Sequence, residues 1–507
     1  YLKPMSTKEN TPENAAIAST ETVRPEARKP RGFQDKRAHL IATERHLVDK
    51  VSEVYSKWGF EALDTGPFEY VDALGKFLPD TDRPNEGVFA LEDDDDQWMA
   101  LRYDHTAPLA RFVAENWNNI PKPFRRYSAG PVYRNEKPGP FRFREFIQCD
   151  ADAVGASGPA ADAEMIAIAS EAMQACGAAV GDYAIRVNTR QLLDGVMQAA
   201  DVTDPNKRLI VLRALDKMDR LGVEGVSELL GGGRKDESGD FTEGAGLSSA
   251  SIDTLLQFAQ AGRDTRSETL EALAAIANKN EVGTQGLEDL VAIHSILNGL
   301  GVTDQMATFD PAIVRGLEYY TGPVFEAELL KEFKDEKGRL MRFGSVGGGG
   351  RYDDLIARFT GDLVPATGFS VGISRLAAVL AAENESENKA DGPVVVLALQ
   401  REYMADYCSL AAQLRAIGVK AEVYLGTSGM KAQMKYANRR KAPAVVIVGN
   451  QERESGKVTV KDLVAGAKAA ENISDNAEWR ETRPGQFEAT RDDFAAKIKA
   501  VVEANNA

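Results

Sequence analysis

Arg134, Arg315 and Arg375 each stand among aromatic, acidic or glycine residues in a way that suits holding a phosphate beside a small polar molecule. The densest stretch is Arg315-Gly316-Leu317-Glu318-Tyr319-Tyr320-Thr321-Gly322-Pro323, where an arginine and two adjacent tyrosines lead through a turn into an apolar strand. An arginine beside phenols presents a planar, permanently charged fork to an anion, with hydrogen bonds and an apolar wall at hand. The same residues would also make a tyrosine-rich strand and hairpin. A second block runs Arg126 to Glu136, then a short Pro-Gly loop, then Phe141 to Asp152. Alternation on both sides of the loop predicts two antiparallel strands with Arg134, Glu136, Phe146, Gln148, Asp150 and Asp152 on one face. A solvent face of salt-bridged pairs is the alternative, but phenylalanine and glutamine interleaved with paired carboxylates fit it poorly. Asp104 and Thr106 have the groups to accept from and orient an ammonium, or to form an Asx turn that caps the next helix.

Two glycine-bearing runs complete the set. Gly347 to Gly350, between Val346 and Arg351-Tyr352-Asp353, let backbone approach a ligand or a strand closely. The loop Gly231-Gly232-Gly233-Arg234-Lys235 lacks the Gly-Lys-Ser/Thr ending of a phosphate-binding loop and reads as a turn. Ala366 to Leu376 reads as a strand turning into a helix with Arg375 near its start, where anions are favoured.

The elements that must position these residues are partly legible. From Asp35, the apolar residues Leu40, Ile41, Leu47, Val48, Val51, Val54, Tyr55 and Trp58 predict a helix ended by Gly59. A strand follows from Phe60, stopped by Gly66-Pro67. Val88–Leu91 and Gln97–Arg102 predict a hairpin in which Asp93 to Asp96 form a solvated turn, since four consecutive aspartates cannot all face one cation. Asp162 to Cys176 predicts a core helix capped by Asp162, and Ile185 to Asn188 a strand. From Leu192 to Leu300 the pattern is helical and more polar, as expected of an inserted domain. A charged linker follows at 383–392, and beyond it strands and helices alternate as an α/β domain. Lys431, Lys435 and Arg439 sit four apart there, with Arg440 and Lys441 beside them and no acid between, so a polyanion contact stands next to the reading of a solvated face.

The chain has 507 residues and 43% hydrophobic content, enough for roughly two to four domains of an ordinary soluble globular protein. A net charge of -16 argues against nonspecific coating of a polyanion, so any nucleic-acid contact must be local. Cys149, Cys176 and Cys408 are widely spaced, which predicts neither disulfides nor a zinc site and fits a reducing cytoplasm. No metal site is expected from the side chains. No run of about 18 apolar residues is present to span a membrane. The N-terminus lacks the apolar core of a signal peptide, and residues 1–30 read as a disordered tail.

The helix, strand and Pro67 near the N-terminus resemble the first motif of class II aminoacyl-tRNA synthetases. The Arg134 block and the Gly368 to Leu376 run are similar to the second and third. Arg-Glu-Phe-x-Gln-x-x-x-Asp from Arg144, Arg-Gly-Leu-Glu-Tyr-Tyr from Arg315 and Gly-Gly-Gly-Arg-Tyr-Asp from Gly348 resemble the histidyl-tRNA synthetases in particular, over nearly the whole chain. The resemblance implies an α+β fold: a class II catalytic domain on an antiparallel β-sheet with flanking helices (31–191 and 301–382). It also implies an inserted helical domain (192–300) and a C-terminal α/β anticodon-binding domain (393–507). The implied activity is ATP- and Mg²⁺-dependent activation of L-histidine and its transfer to the 3′ end of tRNA(His), in a cytoplasmic homodimer.

By resemblance, Arg134, Gln148 and Arg315 serve the chemistry, and Arg134, Glu136, Phe146 and Arg375 bind ATP. Asp104, His105, Thr106, Gln148, Asp152, Tyr319 and Tyr320 join Arg134 and Arg315 around histidine. Asp104 and Asp152 stand where many bacterial members carry glutamate. Lys431, Lys435, Arg439, Arg440 and Lys441 meet the tRNA. The alternative is a catalytically silent, histidine-sensing regulatory paralogue. Relatives of that kind commonly lose the equivalent of Arg315 and the C-terminal domain.

Overall fold

The computed structural model describes residues 25–74, 87–139, 141–235, 239–277, 279–314, 320–334, 340–384, 390–470 and 485–506. Arg315 and Tyr319, most of the expected N-terminal tail and half of the expected linker lie outside them. The chain divides into two compact units at Glu383/Asn384.

The first unit begins with α1 (Ala38–Lys57), whose buried Leu47, Val51, Val54 and Tyr55 make the apolar stripe that the spacing predicts. Then come β1 (Glu61–Ala62), β2 (Phe68–Tyr70), α2 (Val71–Leu74), β3 (Ala90–Glu92), β4 (Trp98–Leu101), α3 (Thr106–Asn116), β5 (Phe124–Tyr133) and β6 (Glu145–Val154). After α4 (Pro159–Ala175) and β7 (Tyr183–Thr189), a helical stretch holds α5 (Arg190–Ala199), α6 (Pro205–Leu215) and α7 (Met218–Leu230, kinked at Gly222). The hairpin of β8 (Gly233–Lys235) and β9 (Phe241–Glu243) interrupts it before α8 (Ser249–Ala259), α9 (Arg266–Ala277) and α10 (Glu281–Gly299). The unit closes with β10 (Ala307–Phe309), β11 (Pro323–Lys334), β12 (Leu340–Arg351), α11 (Ala357–Thr360), β13 (Ala366–Gly372) and α12 (Ile373–Asn384).

Eight of these strands form one sheet in the order β1-β5-β6-β13-β12-β11-β7-β10. Every neighbouring pair is antiparallel except β1–β5 and β7–β10. The two-residue period of β6 sends Cys149, Ala151 and Ala153 into the core shared with α1 and α4, and Gln148, Asp150 and Asp152 to the opposite face. Leu192, Val196, Leu255, Leu290 and Ile293 of the helical stretch belong to that same buried cluster, so residues 192–300 share the apolar core of the sheet. Their approach is tight: a Cβ on Gly195 would lie 2.4 Å from the Gly283 Cα.

A small sheet, β2-β4-β3, stands apart, and its β3–β4 hairpin closes as expected on a solvated turn. Asp93 Oδ1 accepts from the Asp95 and Gln97 amides at 2.9 and 2.8 Å. The expected cap of α4 needs correcting. The helix starts at Pro159 with Gly158 before it, a favoured first position for proline, and Asp162 lies buried inside the first turn. There Asp162 accepts from Arg351 Nε at 3.0 Å and Nη2 at 2.8 Å.

The second unit holds β14 (Val394–Val396), α13 (Met404–Ala416), β15 (Ala421–Val423), α14 (Met430–Arg439), β16 (Ala444–Ile447), α15 (Asn450–Ser455) and β17 (Lys457–Asp462). It ends with α16 (Leu463–Ala470), β18 (Gln486–Thr490) and α17 (Phe494–Asn506). Its sheet runs β15-β14-β16-β17-β18, parallel over the first three strands and antiparallel after them. Val394 to Leu397 and Ala444 to Val448 are buried without alternation, because side chains cover both faces of these central strands. Cys149, Cys176 and Cys408 are free thiols.

Candidate active site

The pocket-facing residues of β6 meet β12, β13 and the start of α12 around a cleft of about 490 Å³. A recess of about 30 Å³ adjoins it, lined by Asp152, Tyr320, Tyr352 and Gly368 among others. The glycines of β12 and β13 make both kinds of close approach. A Cβ on Gly349 would stand 2.1 Å from the Gly368 carbonyl oxygen, and one on Gly368 would stand 2.0 Å from Asp152 Oδ1, so packing demands glycine at both. A Cβ on Gly348 would meet nothing nearer than the Phe325 carbonyl oxygen at 3.7 Å. Its missing side chain leaves room in the cleft itself.

Arg134, Glu136, Phe146, Gln148, Tyr320 and Arg375 all line the cleft, with Asp104 and Thr106. The Arg134 guanidinium lies 4.3 Å from the ring centre of Tyr103 and 5.1 Å from that of Phe146, a planar cation flanked by two π faces. Tyr103 donates to Glu136 at 3.0 Å, and burial pushes its phenol up to about 12, so it stays a donor. Arg375 projects from the first turn of α12 and donates to the Phe343 carbonyl at 2.8 Å. Asp104 does both things its sequence position allows. Its Oδ1 accepts from the Thr106 and Ala107 amides at 3.0 Å each, capping the start of α3, while the residue also faces the cleft.

His105, expected around the ligand, is turned away from it. The ring is buried, with Nε2 3.2 Å from the Gly130 carbonyl oxygen and Nδ1 3.3 Å from Ser128 Oγ. Burial first, then Arg126 and Arg102, lowers its pKa to about 3. The imidazole is therefore neutral and ties the start of α3 to β5. Asp104 and Thr106, on either side of His105 in sequence, face the cleft, and the ring between them faces the other way.

Beneath the recess lies a buried ionic layer that sequence reasoning missed. Arg126, 1% exposed on β5, pairs through Nη2 with Asp152 Oδ2 at 2.9 Å and donates to the His105 carbonyl at 2.7 Å. Tyr352 donates to Asp152 Oδ1. Burial pushes Asp150 and Asp152 up to about 6, against the pull of Arg126. The available signal was the β5–β6 register, in which Arg126 stands opposite Asp152. Arg142 also lines the cleft and was not singled out.

In the second unit Lys431, Lys435, Arg439 and Lys441 are exposed on and just beyond α14. Arg440 differs: Glu422 of β15 accepts from its Nε at 3.0 Å and Nη2 at 3.2 Å. The stripe free of acids in sequence thus has one of its cations compensated in space. Among the described residues no group of three or more His, Cys, Asp or Glu side chains converges as metal ligands, and no helix is long and apolar enough to cross a membrane.

A mainly antiparallel sheet with an arginine just past the end of β5 beside phenylalanine and glutamine, facing an arginine at a helix start, has the catalytic architecture of a class II aminoacyl-tRNA synthetase. The family model for histidyl-tRNA synthetase matches residues 32–376, and that for an anticodon binding domain matches 393–500. The chain is 59% identical over 481 residues to histidine–tRNA ligase of Caulobacter vibrioides, covering 94% of this chain and 97% of that protein. The crystal structure of histidyl-tRNA synthetase from Nostoc sp. PCC 7120 is similar in fold, with TM-score 0.68 and 26% identity over 94% of this chain and 100% of that one. A structure from Bacillus halodurans C, described as an ATP phosphoribosyltransferase regulatory subunit/histidyl-tRNA synthetase, shares the fold at TM-score 0.63 and 22% identity over 82% of this chain and 97% of that one. The chain belongs to the histidyl-tRNA synthetase family.

Proposed function

We infer that this protein activates L-histidine with ATP to histidyl-adenylate and transfers the histidyl group to the 3′ end of tRNA(His). The carrying observation is one cleft in which Arg134, Phe146, Gln148 and Arg375 stand beside a buried acidic recess at Asp152. The anticodon binding domain at 393–500 speaks against a silent regulatory paralogue.

Activation is displacement of pyrophosphate from the α-phosphorus by the histidine carboxylate, which needs no protein nucleophile. Alignment and charge stabilisation carry it. Arg134, with Arg315, would hold the carboxylate against the α-phosphate, Arg375 the phosphate tail, and Phe146 the adenine face, with Glu136 near the nucleotide. Asp104, Thr106 and Gln148 would take the ammonium, while Asp152, Tyr319 and Tyr320 surround the imidazole. A buried carboxylate or phenol left unpaired by the wrong amino acid discriminates by ~10⁴ or more. Mg²⁺ would arrive on the ATP phosphates, since no cage of protein ligands forms among the described residues and Mg²⁺ is usually held by phosphates and water with few carboxylates. When bound, it would neutralise phosphate charge.

The apolar side chains Phe68, Tyr70 and Leu91, exposed on one face of β2-β4-β3, suit a homodimer contact. The free thiols and the role in protein synthesis fit the cytoplasm. Lys431, Lys435, Arg439 and Lys441 would meet tRNA phosphates. Histidine-dependent exchange of labelled pyrophosphate into ATP tests the reading; no exchange by folded, Mg²⁺-supplied protein would sink it.

A further inference from the structure

Gln148 and Asp150 project from β6 to the same side, and Ser370 of β13, the ladder partner of Asp150, stands between their polar groups. The Ser370 hydroxyl donates to Asp150 Oδ1, and the Gln148 amide nitrogen lies 2.8 Å from Ser370 Oγ. An ionised carboxylate can only accept, so the single proton of Ser370 is committed to Asp150. The serine oxygen then has only lone pairs for Gln148, whose NH₂ must turn toward it. The amide oxygen is thereby sent the other way. That oxygen, Oε1, is buried without a hydrogen-bond partner on a residue that lines the cleft. A buried acceptor left unmade is costly, and a ligand N–H removes the cost.

We propose that Asp150, acting through Ser370, is a positioning residue that fixes the Gln148 amide with its oxygen toward the cleft and so makes the site selective for a ligand carrying an ammonium group. This rests on the functional reading above, in which that group is the α-ammonium of histidine. Asp150 and Ser370 themselves line the cleft, and in this role Asp150 acts through Ser370 to determine which end of Gln148 the ligand meets. Asn at position 150 can donate to Ser370, which frees the hydroxyl proton for Gln148 Oε1 and turns the amide NH₂ toward the ligand. Donor then faces donor.

The test uses the full chain at pH 8, well above the value of about 6 to which burial pushes Asp150. Binding of L-histidine is compared with that of 3-(imidazol-4-yl)propionate, which keeps the ring and carboxylate but lacks the ammonium. Loss of one charge-assisted hydrogen bond predicts that Asp150→Asn weakens histidine about tenfold or more and the propionate by less than about threefold, with KM for ATP unchanged. Ser370→Ala, which removes the shared hydroxyl, should give the same split, and the double variant should be no worse than Ser370→Ala alone. Equal weakening of both ligands would show a structural or ring-binding role and overturn the proposal, as would no change in either. Ser370→Ala keeps the question open to decision where Asp150→Asn does not fold. If the unaltered protein supports no histidine-dependent exchange, the functional reading itself has failed; if it does and the variants show no split, this inference alone has.

Discussion

Neutralising the exposed stripe of α14 gives a prediction whose size follows from counting charges. Lys431, Lys435 and Arg439 are exposed, whereas Arg440 is already paired with Glu422. A contact to single-stranded nucleic acid changes the slope of log affinity against log salt by ~0.7 per phosphate neutralised. Replacing all three with glutamine should therefore make the slope shallower by about 2. Across a fourfold rise in salt, from 50 to 200 mM, the advantage of the unaltered protein over the variant should shrink about 16-fold. Filter binding or fluorescence titration of tRNA(His) at several salt concentrations reads this directly. Histidine-dependent pyrophosphate exchange should be unchanged, because the cleft is built wholly from residues of the first unit. Arg440→Gln is the internal control: its cation is already compensated by Glu422, which keeps its hydrogen bond from Tyr436, so the variant should change the slope by less than one of the exposed cations does. An unchanged slope in the triple variant, or equal loss of exchange and tRNA binding, would refute the reasoning.

Arg126→Met should cost about 3–5 kcal/mol at pH 8, since it strips the cation from a buried pair. The loss should be smaller at pH 5, below the value of about 6 for Asp150 and Asp152, where both are already mostly protonated in the folded protein; denaturant titrations at the two pH values check this. His105 is held to about 3 in the fold against ~6.5 unfolded, so its contribution is complete above ~6.5 and is lost as pH falls toward 3. His105→Gln should accordingly shed about 1.4 kcal/mol per pH unit of acid sensitivity between pH 6 and 4, read from denaturant midpoints. Gly348→Ala should leave the melting temperature within about a degree but raise KM for histidine or ATP, because its methyl enters the cleft. Gly368→Ala, aimed at Asp152 Oδ1 from 2.0 Å, should destabilise by ~2 kcal/mol or more in a thermal melt.

The cleft was largely legible because a strand's period is short and strict: Phe146, Gln148, Asp150 and Asp152 could share a face only if β6 formed. The three-and-four spacing of apolar residues placed α1 in the same way. What stayed hidden depends on which side a local turn presents, or on a partner distant in sequence. His105 lies between two cleft residues, and nothing local says that its ring packs on Gly130 and Ser128. Tyr352 reaches Asp152 from just past the end of β12, and Glu422 reaches Arg440 from β15. The Gly158-Pro159 start of α4 was written in the sequence, but the acid three residues on drew the assignment. β18 and α17 went unassigned, although Phe494, Ile498, Val501 and Val502 of α17 stand at helical spacing and pack on the core of the second unit.

The pairing of β6 with β13 bears on how the protein is born as well as how it works. Val154 and Ala366 are ladder partners separated by roughly 200 residues, so closing that loop in an unstructured chain costs ~5 kcal/mol of entropy. At a ribosomal pace of ~5–20 residues per second, the nascent chain carries Arg126, Asp150 and Asp152 on a half-made floor for ~10–40 s before β13 emerges. The helices from α5 to α10, which share the sheet's apolar core, are synthesised in that interval and can shorten the effective loop by collapsing onto it. On this view the helical stretch acts within the chain as a folding clamp, and trimming it should slow refolding of the cleft more than it weakens the finished site.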